Sequence, residues 1–513
     1  MKNRINTLLF LTLLSCFCCI YQGNAADCTA VSGASYPGMK LEKMNENDSR
    51  AKDLLRKSMN AATQARKIDL NRLDTIRLHA MLSRDSSREI IGVPRKLEVL
   101  KEKLEEKKGD QWDKCPDGGH TSTFIFTSAG AAALRIGITV NNLPRTSELR
   151  FFKKETVNNT AEFVVTGKEI NKLIQLNKTA DPDNKDADVY WSPVIEGESL
   201  GIEIYTPPDV EPDDVRIAFS TLSHLAVSPF SSSDNQFIEQ SIEQSYGESD
   251  ACQNDATCFA AWLDMRNAVA KMVYTDSGAT YTCTGTLLND TDTTTWKPYF
   301  ISANHCIASQ TVASTLQTHW FFESSRCDGT TQNANYTTRN SGATLLWTRG
   351  TTTSQIDTNQ DASLFLLHDM PPAGVYYAGW DTSNIPVTNL TGIHHPMGDW
   401  KKISFCNNDG SYKCYMDGAG FSCTPSDTGG FLGVKWTDGG TEIGSSGSGI
   451  FNNNGELIGV LKGGNGVCGE GGFSVYSKFS AAYSAGNLRQ WLNTAPSSGG
   501  KGSIVPMLYL LLK

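Results

Sequence analysis

From Ser122 onward, apolar and polar positions alternate with the two-residue period of a half-buried strand. Leu134, Ile136, Ile138 and Val140 interleave with Arg135, Gly137 and Thr139, which puts the aliphatic set on one face of a pleated strand. Leu200, Ile202 and Ile204 repeat the pattern and stop before Pro207-Pro208. The stretch of about 120–222 is therefore predicted to be a small β-sandwich. Upstream, residues 26–118 are polar and rich in charge. Within them Pro94 to Lys108 (PRKLEVLKEKLEEKK) has mixed charges at helical spacing, which predicts a solvated helix. Residues 226–250 are rich in Ser, Gln and Glu with few apolar anchors and read as a linker. From Cys252 to about Ala495, short apolar runs are broken by frequent Gly, Asn, Thr and Asp, the rhythm of an all-β barrel domain. Ala481 to Leu492 (AAYSAGNLRQWL) suits a terminal helix.

The first residues break this rhythm. Lys2-Asn3-Arg4 precede an apolar run from Leu8 to Tyr21, and Gly23-Asn24-Ala25 supply the small residues a signal peptidase reads. Residues 1–25 thus read as a secretory signal cut after Ala25. Leu13-Leu14-Ser15-Cys16 only loosely fits a lipobox, because the apolar run continues past the cysteine. No internal run is long and apolar enough to span a bilayer.

An exported chain changes the meaning of its 14 cysteines. Cys16, Cys18 and Cys19 leave with the signal, and eleven remain: Cys28, Cys115 and nine from Cys252 onward. Such a cluster reads as a disulfide framework. Zinc is the rival, but the eleven contain no CxxC pair and the chain no HExxH, so neither metal nor cofactor is expected. An odd count leaves at least one thiol free, or paired outside the chain. The 513 residues are 20% charged and 39% hydrophobic, a globular balance, and their net charge of −9 argues against a nucleic-acid partner.

Three short segments of the last region have the residue types of acyl-transfer chemistry. Tyr299 to Cys306 (YFISANHC) is an apolar strand delivering His305 directly before a cysteine. Asp361 opens the apolar strand Ala362 to Leu367. Gly444 to Gly449 (GSSGSG) is a glycine-rich turn before Ile450-Phe451. Each alone is weak, since a histidine beside a disulfide, an Asp before a strand and a Gly-Ser loop are usually structural. Their order, His then Asp then Ser within one cysteine-rich β region, is that of the chymotrypsin-type proteases. Ser446 would be the nucleophile, His305 its base and Asp361 the group that orients the base. The amides of Gly444 and Ser446 would form the oxyanion hole. An α/β-hydrolase esterase needs the reverse order and βα alternation, and neither occurs. The other rival is a catalytically silent binding module or adhesin on a protease fold; such proteins usually lose one of the three residues.

The region 252–495 resembles the lysyl endopeptidase group of trypsin-fold serine proteases. The resemblance is carried by CTGTLLND (283–290), YFISANHC (299–306), AGWD (378–381), GIHHP (392–396), GSSGSG (444–449) and LKGG (461–464). Residues 26–245, including YWSPVIEGE (190–198), resemble the family's long propeptide. The resemblance implies an all-β fold: a protease domain of two six-stranded antiparallel barrels with a C-terminal helix, over 246–495, preceded by a mixed helix and β-sandwich propeptide, 26–245. It implies a secreted serine endopeptidase made as a zymogen, monomeric, acting on polypeptides, with its own propeptide as inhibitor or chaperone. It also pairs Cys283 with Cys306, Cys258 with Cys327 and Cys252 with Cys468. Two of Cys406, Cys414 and Cys423 are expected to pair, and the sequence does not choose which.

Two departures from the family bear on activation and specificity. Ser445 stands where trypsin has the Asp that receives the new N-terminus, so activation cannot use that salt bridge. Lysine preference in the family rests on an acidic residue after Cys468; the position-matched residue here is Ser474, and the pocket-base position is Gly440. Glu442 and Glu470 are the only carboxylates near, so a neutral or mixed preference at P1, the residue before the scissile bond, is expected. Gly463 and Gly464 are expected to line the substrate cleft, and Lys462 before them to be solvated. His394-His395 reads as structural. The tail 496–513 has a glycine pair, Gly499-Gly500, an apolar stretch and a terminal Lys513, and incompletely resembles a sorting signal. It is the one feature that would put the chain in contact with a membrane, at the cell surface or in the periplasm.

Overall fold

β-branched and aromatic residues place strands through most of the computed structural model, which describes residues 35–41, 65–83, 85, 87–97, 112–153, 161–230, 248–292, 295–350, 360–383, 388–417 and 420–493. The signal segment, Cys28, most of the predicted helix, most of the linker and the tail lie outside the described residues. Among the described residues, no helix is long and apolar enough to cross a membrane.

Two sheets face each other in the N-terminal region. One joins His120–Ser128, Ser199–Thr206, Glu148–Phe152 and Phe163–Thr166. The other joins Val189–Trp191, Ala133–Asn142, Arg216–Leu225 and Glu89–Lys96. Leu134, Ile136 and Ile138 meet Phe126, Phe151, Leu200 and Ile202 between them, all at 0% exposure. Helix Gly167–Ala180 starts at a capping box between Thr166 and Glu169 and adds Ile170 and Ile174 to that core.

Two local expectations fail here. Pro94 to Lys96 end a strand, not begin a helix, because the apolar run Ile90, Ile91 and Val93 is buried between two neighbouring strands. Strand Ala133–Asn142 is not half-exposed either. Its second face lies on the region from Cys252 onward, and Arg135 is 1% exposed. The Arg135 guanidinium donates to the Ser192 carbonyl at 2.5 Å, the Thr315 carbonyl at 2.5 Å and Thr275 Oγ1 at 3.1 Å. Burial lowers its pKa to about 9.

The region from Cys252 onward contains two barrels of six strands. In the first, Gln317–Trp320, Val269–Asp276, Ala279–Leu288, Tyr299–Ser302, Ala362–Leu367 and Ala343–Arg349 pair in that order. Among the described residues no ladder joins the last to the first, so this barrel is open along a seam. In the second, Asn389–His394, Lys402–Asp417, Phe431–Asp438, Phe473–Lys478, Leu457–Gly464 and Gly449–Phe451 pair around a complete ring. The fold is therefore all-β, as the strand pattern predicts, with the double β-barrel that the resemblance implies. The terminal helix is split into Phe479–Ala485 and Arg489–Leu492 around Asn487, whose φ is 46°. Phe479 and Tyr483 pack on Trp380, which ties the helix to the barrel.

The two regions share backbone hydrogen bonds. Glu89–Lys96 pairs with Arg216–Leu225 on one edge and with Ala279–Leu288 of the open barrel on the other, merging both into a 12-stranded sheet. Ser35–Tyr36 pairs with Trp380–Asp381, and Met39–Lys40 with Tyr376–Tyr377. Disulfides join Cys252 to Cys468, Cys258 to Cys327, Cys283 to Cys306 and Cys414 to Cys423. Cys414 stands directly opposite Cys423 across a hairpin, whereas Cys406 is a buried free thiol.

Candidate active site

Strands Tyr299–Ser302 and Ala362–Leu367 are antiparallel, with Ser302 opposite Ser363. That register brings the residues just after one strand to those just before the other, and there His305 meets Asp361. His305 Nδ1 lies 2.6 Å from Asp361 Oδ2, and the His305 N–H donates to Asp361 Oδ1 at 2.9 Å. Asp361 is 1% exposed. Burial by itself would raise its pKa. The adjoining His305 and Lys462, with the hydrogen bonds from His305, overcome that and hold the carboxyl well below the usual range. Lys462 Nζ lies 3.0 Å from Asp361 Oδ2 with its side chain 7% exposed. The lysine expected to be solvated is thus packed against the carboxylate, carried there by strand Leu457–Gly464. Its sequence signal was faint: a lysine directly before the glycine pair Gly463-Gly464.

Ser446 sits in the turn that enters strand Gly449–Phe451. Gly444 adopts φ 92°, and a Cβ there would lie 2.9 Å from the His395 carbonyl and the Gly398 amide. Gly447 adopts φ 83° and leaves no room for a Cβ beside Ser302 Oγ. These two glycines permit the sharp reversal. Strand Ala279–Leu288 anchors the turn: the Thr284 N–H donates to the Ser446 carbonyl at 2.9 Å, and Thr284 Oγ1 to the Gly444 carbonyl at 3.0 Å. The Cys283–Cys306 disulfide brings the two halves together. Cys306 Sγ lies 3.9 Å from His305 Nε2 and 3.7 Å from the Ser446 carbonyl oxygen. Among the described residues, the Gly444 and Ser446 amides donate to no protein acceptor.

Ser445, the departure from trypsin, has its own partners. Ser445 Oγ lies 2.8 Å from His394 Nδ1, and His394 Nε2 lies 3.1 Å from Ser404 Oγ. Burial lowers the His394 pKa to about 3, so the ring is a neutral strut under the Ser445–Ser446 turn. His395 Nδ1 lies 3.0 Å from the Asp399 carbonyl.

The specificity candidates divide. Gly440 packs against Cys468 and hydrogen-bonds Ser404 Oγ. Ser474 is 1% exposed and engaged twice: Trp436 Nε1 donates to its hydroxyl at 2.9 Å, and Thr441 Oγ1 lies 2.8 Å away. Glu442 turns to the segment before Cys252. Its Oε1 accepts the Asp250 N–H at 3.0 Å, and burial, with Asp250 and Asp399 near, raises its pKa to about 7. Glu470 is exposed in the turn closed by the Gly472 N–H and the Gly469 carbonyl. Neither glutamate hydrogen-bonds Ser474 among the described residues. Gly463 and Gly464 pair with Val475 and Ser474 at the end of strand Leu457–Gly464.

Comparison with known proteins gives this geometry a family. Residues 246–479 match the lysyl endopeptidase C-terminal domain, and residues 65–226 the lysyl endopeptidase N-terminal domain. A lysyl endopeptidase of Pseudomonas aeruginosa is 34% identical over 399 residues, covering 73% of this chain and 76% of that protein. Likenesses among solved structures are partial. A thermostable serine protease, AL20, from an extremophilic microorganism is 14% identical and covers 45% of this chain and 99% of its own, with a TM-score of 0.30. The MamO protease domain of Magnetospirillum magneticum is 11% identical and covers 43% and 97%, with a TM-score of 0.29. Scores that low add no argument, and the conclusion rests on the two domain matches and the Pseudomonas relative: the chain belongs to the lysyl endopeptidase family of serine endopeptidases.

Proposed function

We propose that the chain is exported as a zymogen and cuts polypeptides with Ser446, His305 and Asp361, working as a monomer once the N-terminal region is removed. The observation that carries this reading is the 2.6 Å His305–Asp361 pair beside the Ser446 turn. Ser446 Oγ attacks the scissile carbonyl carbon while His305 Nε2 takes its proton. Asp361 fixes the ring with Nδ1 protonated and stabilises the imidazolium. The Gly444 and Ser446 amides receive the oxyanion, each typically worth ~3–4 kcal/mol in the transition state. His305 then gives its proton to the leaving amine as the C–N bond breaks. A water repeats the sequence on the acyl-enzyme, returning Ser446 and releasing the new carboxylic acid.

Ser474 and Gly440 are neutral, and a buried lysine without a carboxylate is costly. We therefore read the P1 preference as neutral or mixed, although the Pseudomonas relative is named for lysine. A second observation supports this: residues 217–265 contain no Lys or Arg, so a strictly lysine-specific enzyme could not free itself by cutting the linker. Labelling of Ser446 by a fluorophosphonate, lost in Ser446→Ala together with peptidase activity, tests the mechanism and separates it from a silent binding module. Matched Lys, Arg, Ala and Leu substrates test P1; a hundredfold lysine preference that disappears in Glu470→Gln would overturn the neutral reading.

A further inference from the structure

Strand Glu89–Lys96 meets the catalytic region close to the nucleophile. Its partners are Thr280, Tyr281 and Thr282, with Glu89 opposite Thr282. The next residues on that strand are Cys283, bonded to Cys306 beside His305, and Thr284, which holds the Ser446 carbonyl. On the other side of Ser446 lies the strand end Lys462–Gly464, where Gly447 is tied to the Leu461 carbonyl. A substrate with its acyl half along Gly463-Gly464 continues, past the scissile bond, onto the Thr280–Thr282 edge. Glu89–Lys96 already runs in that sense. It is antiparallel to Ala279–Leu288 and moves away from Ser446 from its N-terminus to its C-terminus, as the leaving half of a substrate does.

Arg88, at the head of this strand, shows what the edge recognises. Its guanidinium carbon lies 4.0 Å from the Tyr281 ring centroid, and its Nη1 lies 2.9 Å from Asp276 Oδ2. Both partners belong to the catalytic region and are held in place. Tyr281 is stacked on Tyr274 at 5.7 Å, and Ser277 Oγ donates to Asp276 Oδ1 at 3.0 Å. The remaining partner of Arg88, Asp85, belongs to the N-terminal region and leaves with it.

We propose that Tyr281 and Asp276 form a cation subsite on the leaving-group side of the cleft, selecting arginine within the first three residues after the scissile bond, and that Arg88 occupies it in the zymogen. The subsite rests on the reading of Ser446 as nucleophile and of the N-terminal region as removable. An aromatic face with a carboxylate within reach of the same group suits a planar guanidinium better than an ammonium, because it can stack and donate a hydrogen bond at once. Together they correspond to about a tenfold gain in kcat/KM.

The test uses processed enzyme and internally quenched peptides that share one acyl half and vary Arg, Lys, Gln or Glu at each of the three positions after the scissile bond. At one position arginine is expected to exceed glutamine about tenfold, with glutamate lowest. That ratio should fall toward one in Asp276→Asn and in Tyr281→Leu, and survive in Tyr281→Phe, which keeps the ring. Equal cleavage of arginine and glutamine peptides at all three positions would overturn the subsite while leaving Ser446 as nucleophile. So would a ratio unchanged in Asp276→Asn and Tyr281→Leu. No cleavage of any peptide, with no fluorophosphonate labelling, would remove the catalytic reading and the subsite together.

Discussion

Asp361 answers to two basic groups, His305 at 2.6 Å and Lys462 at 3.0 Å. Both help hold the buried carboxyl ionised. Lys462→Met takes one of them away and leaves the buried carboxylate short of a partner. We therefore expect it to destabilise full-length Ser446→Ala chain at neutral pH by about 1–3 kcal/mol, and Lys462→Arg to cost much less. Equal melting temperatures for the Met and Lys forms would refute the coupling. At this scale the sequence was uneven. His305, Asp361 and Ser446 announce themselves through their immediate neighbours: a cysteine, an apolar strand, a glycine turn. Lys462 and Arg135 do not, because their partners lie far away along the chain. Alternation alone puts Arg135 in solvent, and only docking of its face on Thr275 and Thr315 buries it.

Glu89–Lys96 is the element whose reading changed most. Its last residues have helical charge spacing, but the strand is fixed by what its edges pair with, which no local pattern records. Glu89 is 6% exposed, its Oε1 has no hydrogen-bond partner among the described residues, and burial raises its pKa to about 8. An unfolded glutamate releases its proton near pH 4.3. As pH rises from there to about 8 the unfolded chain loses a proton that the folded chain retains, so stability falls across that window and levels above it. Glu89→Gln cannot titrate. In full-length Ser446→Ala chain, which cannot digest itself, its melting temperature should match the glutamate form near pH 4 and exceed it increasingly up to pH 8. The gain is at most ~5 kcal/mol. A constant difference across pH would count against this. The hairpin of Cys414 and Cys423 shows the same limit on sequence reading: three cysteines were candidates, and only the cross-strand register selects two.

For the molecule as a whole, sheet class, barrel region and terminal helix were legible because strand period and turn residues are local signals. The union of the sandwich and open barrel was not, since it depends on which edges are left unpaired. If the N-terminal region is removed, N-terminal sequencing of active enzyme should find a start between Ala226 and Cys252, most specifically within 240–250. A start near Asp27 would make the sandwich a permanent partner. Removal would also strip the Thr280–Thr282 edge and expose the Arg135 contacts on Thr275 and Thr315.

The pairing of Glu89–Lys96 with Ala279–Leu288 also has a bearing on time. Glu89–Lys96 precedes Ala279–Leu288 in the chain and takes its other edge from Arg216–Leu225, so the sandwich can close first and offer the first barrel a finished edge, while the Cys252–Cys468 bond spans 216 residues. Pairings of such sequence separation are slow to find unaided. If the N-terminal region is digested, a chain that later unfolds searches without that edge. Full-length Ser446→Ala, unfolded with disulfides intact and then diluted, should regain its native near-ultraviolet dichroism in higher yield than processed enzyme bearing the same substitution. Equal yields would mean the barrel needs no template. Unequal ones would make this a protein that learns its shape once and, after maturation, has no means of learning it again.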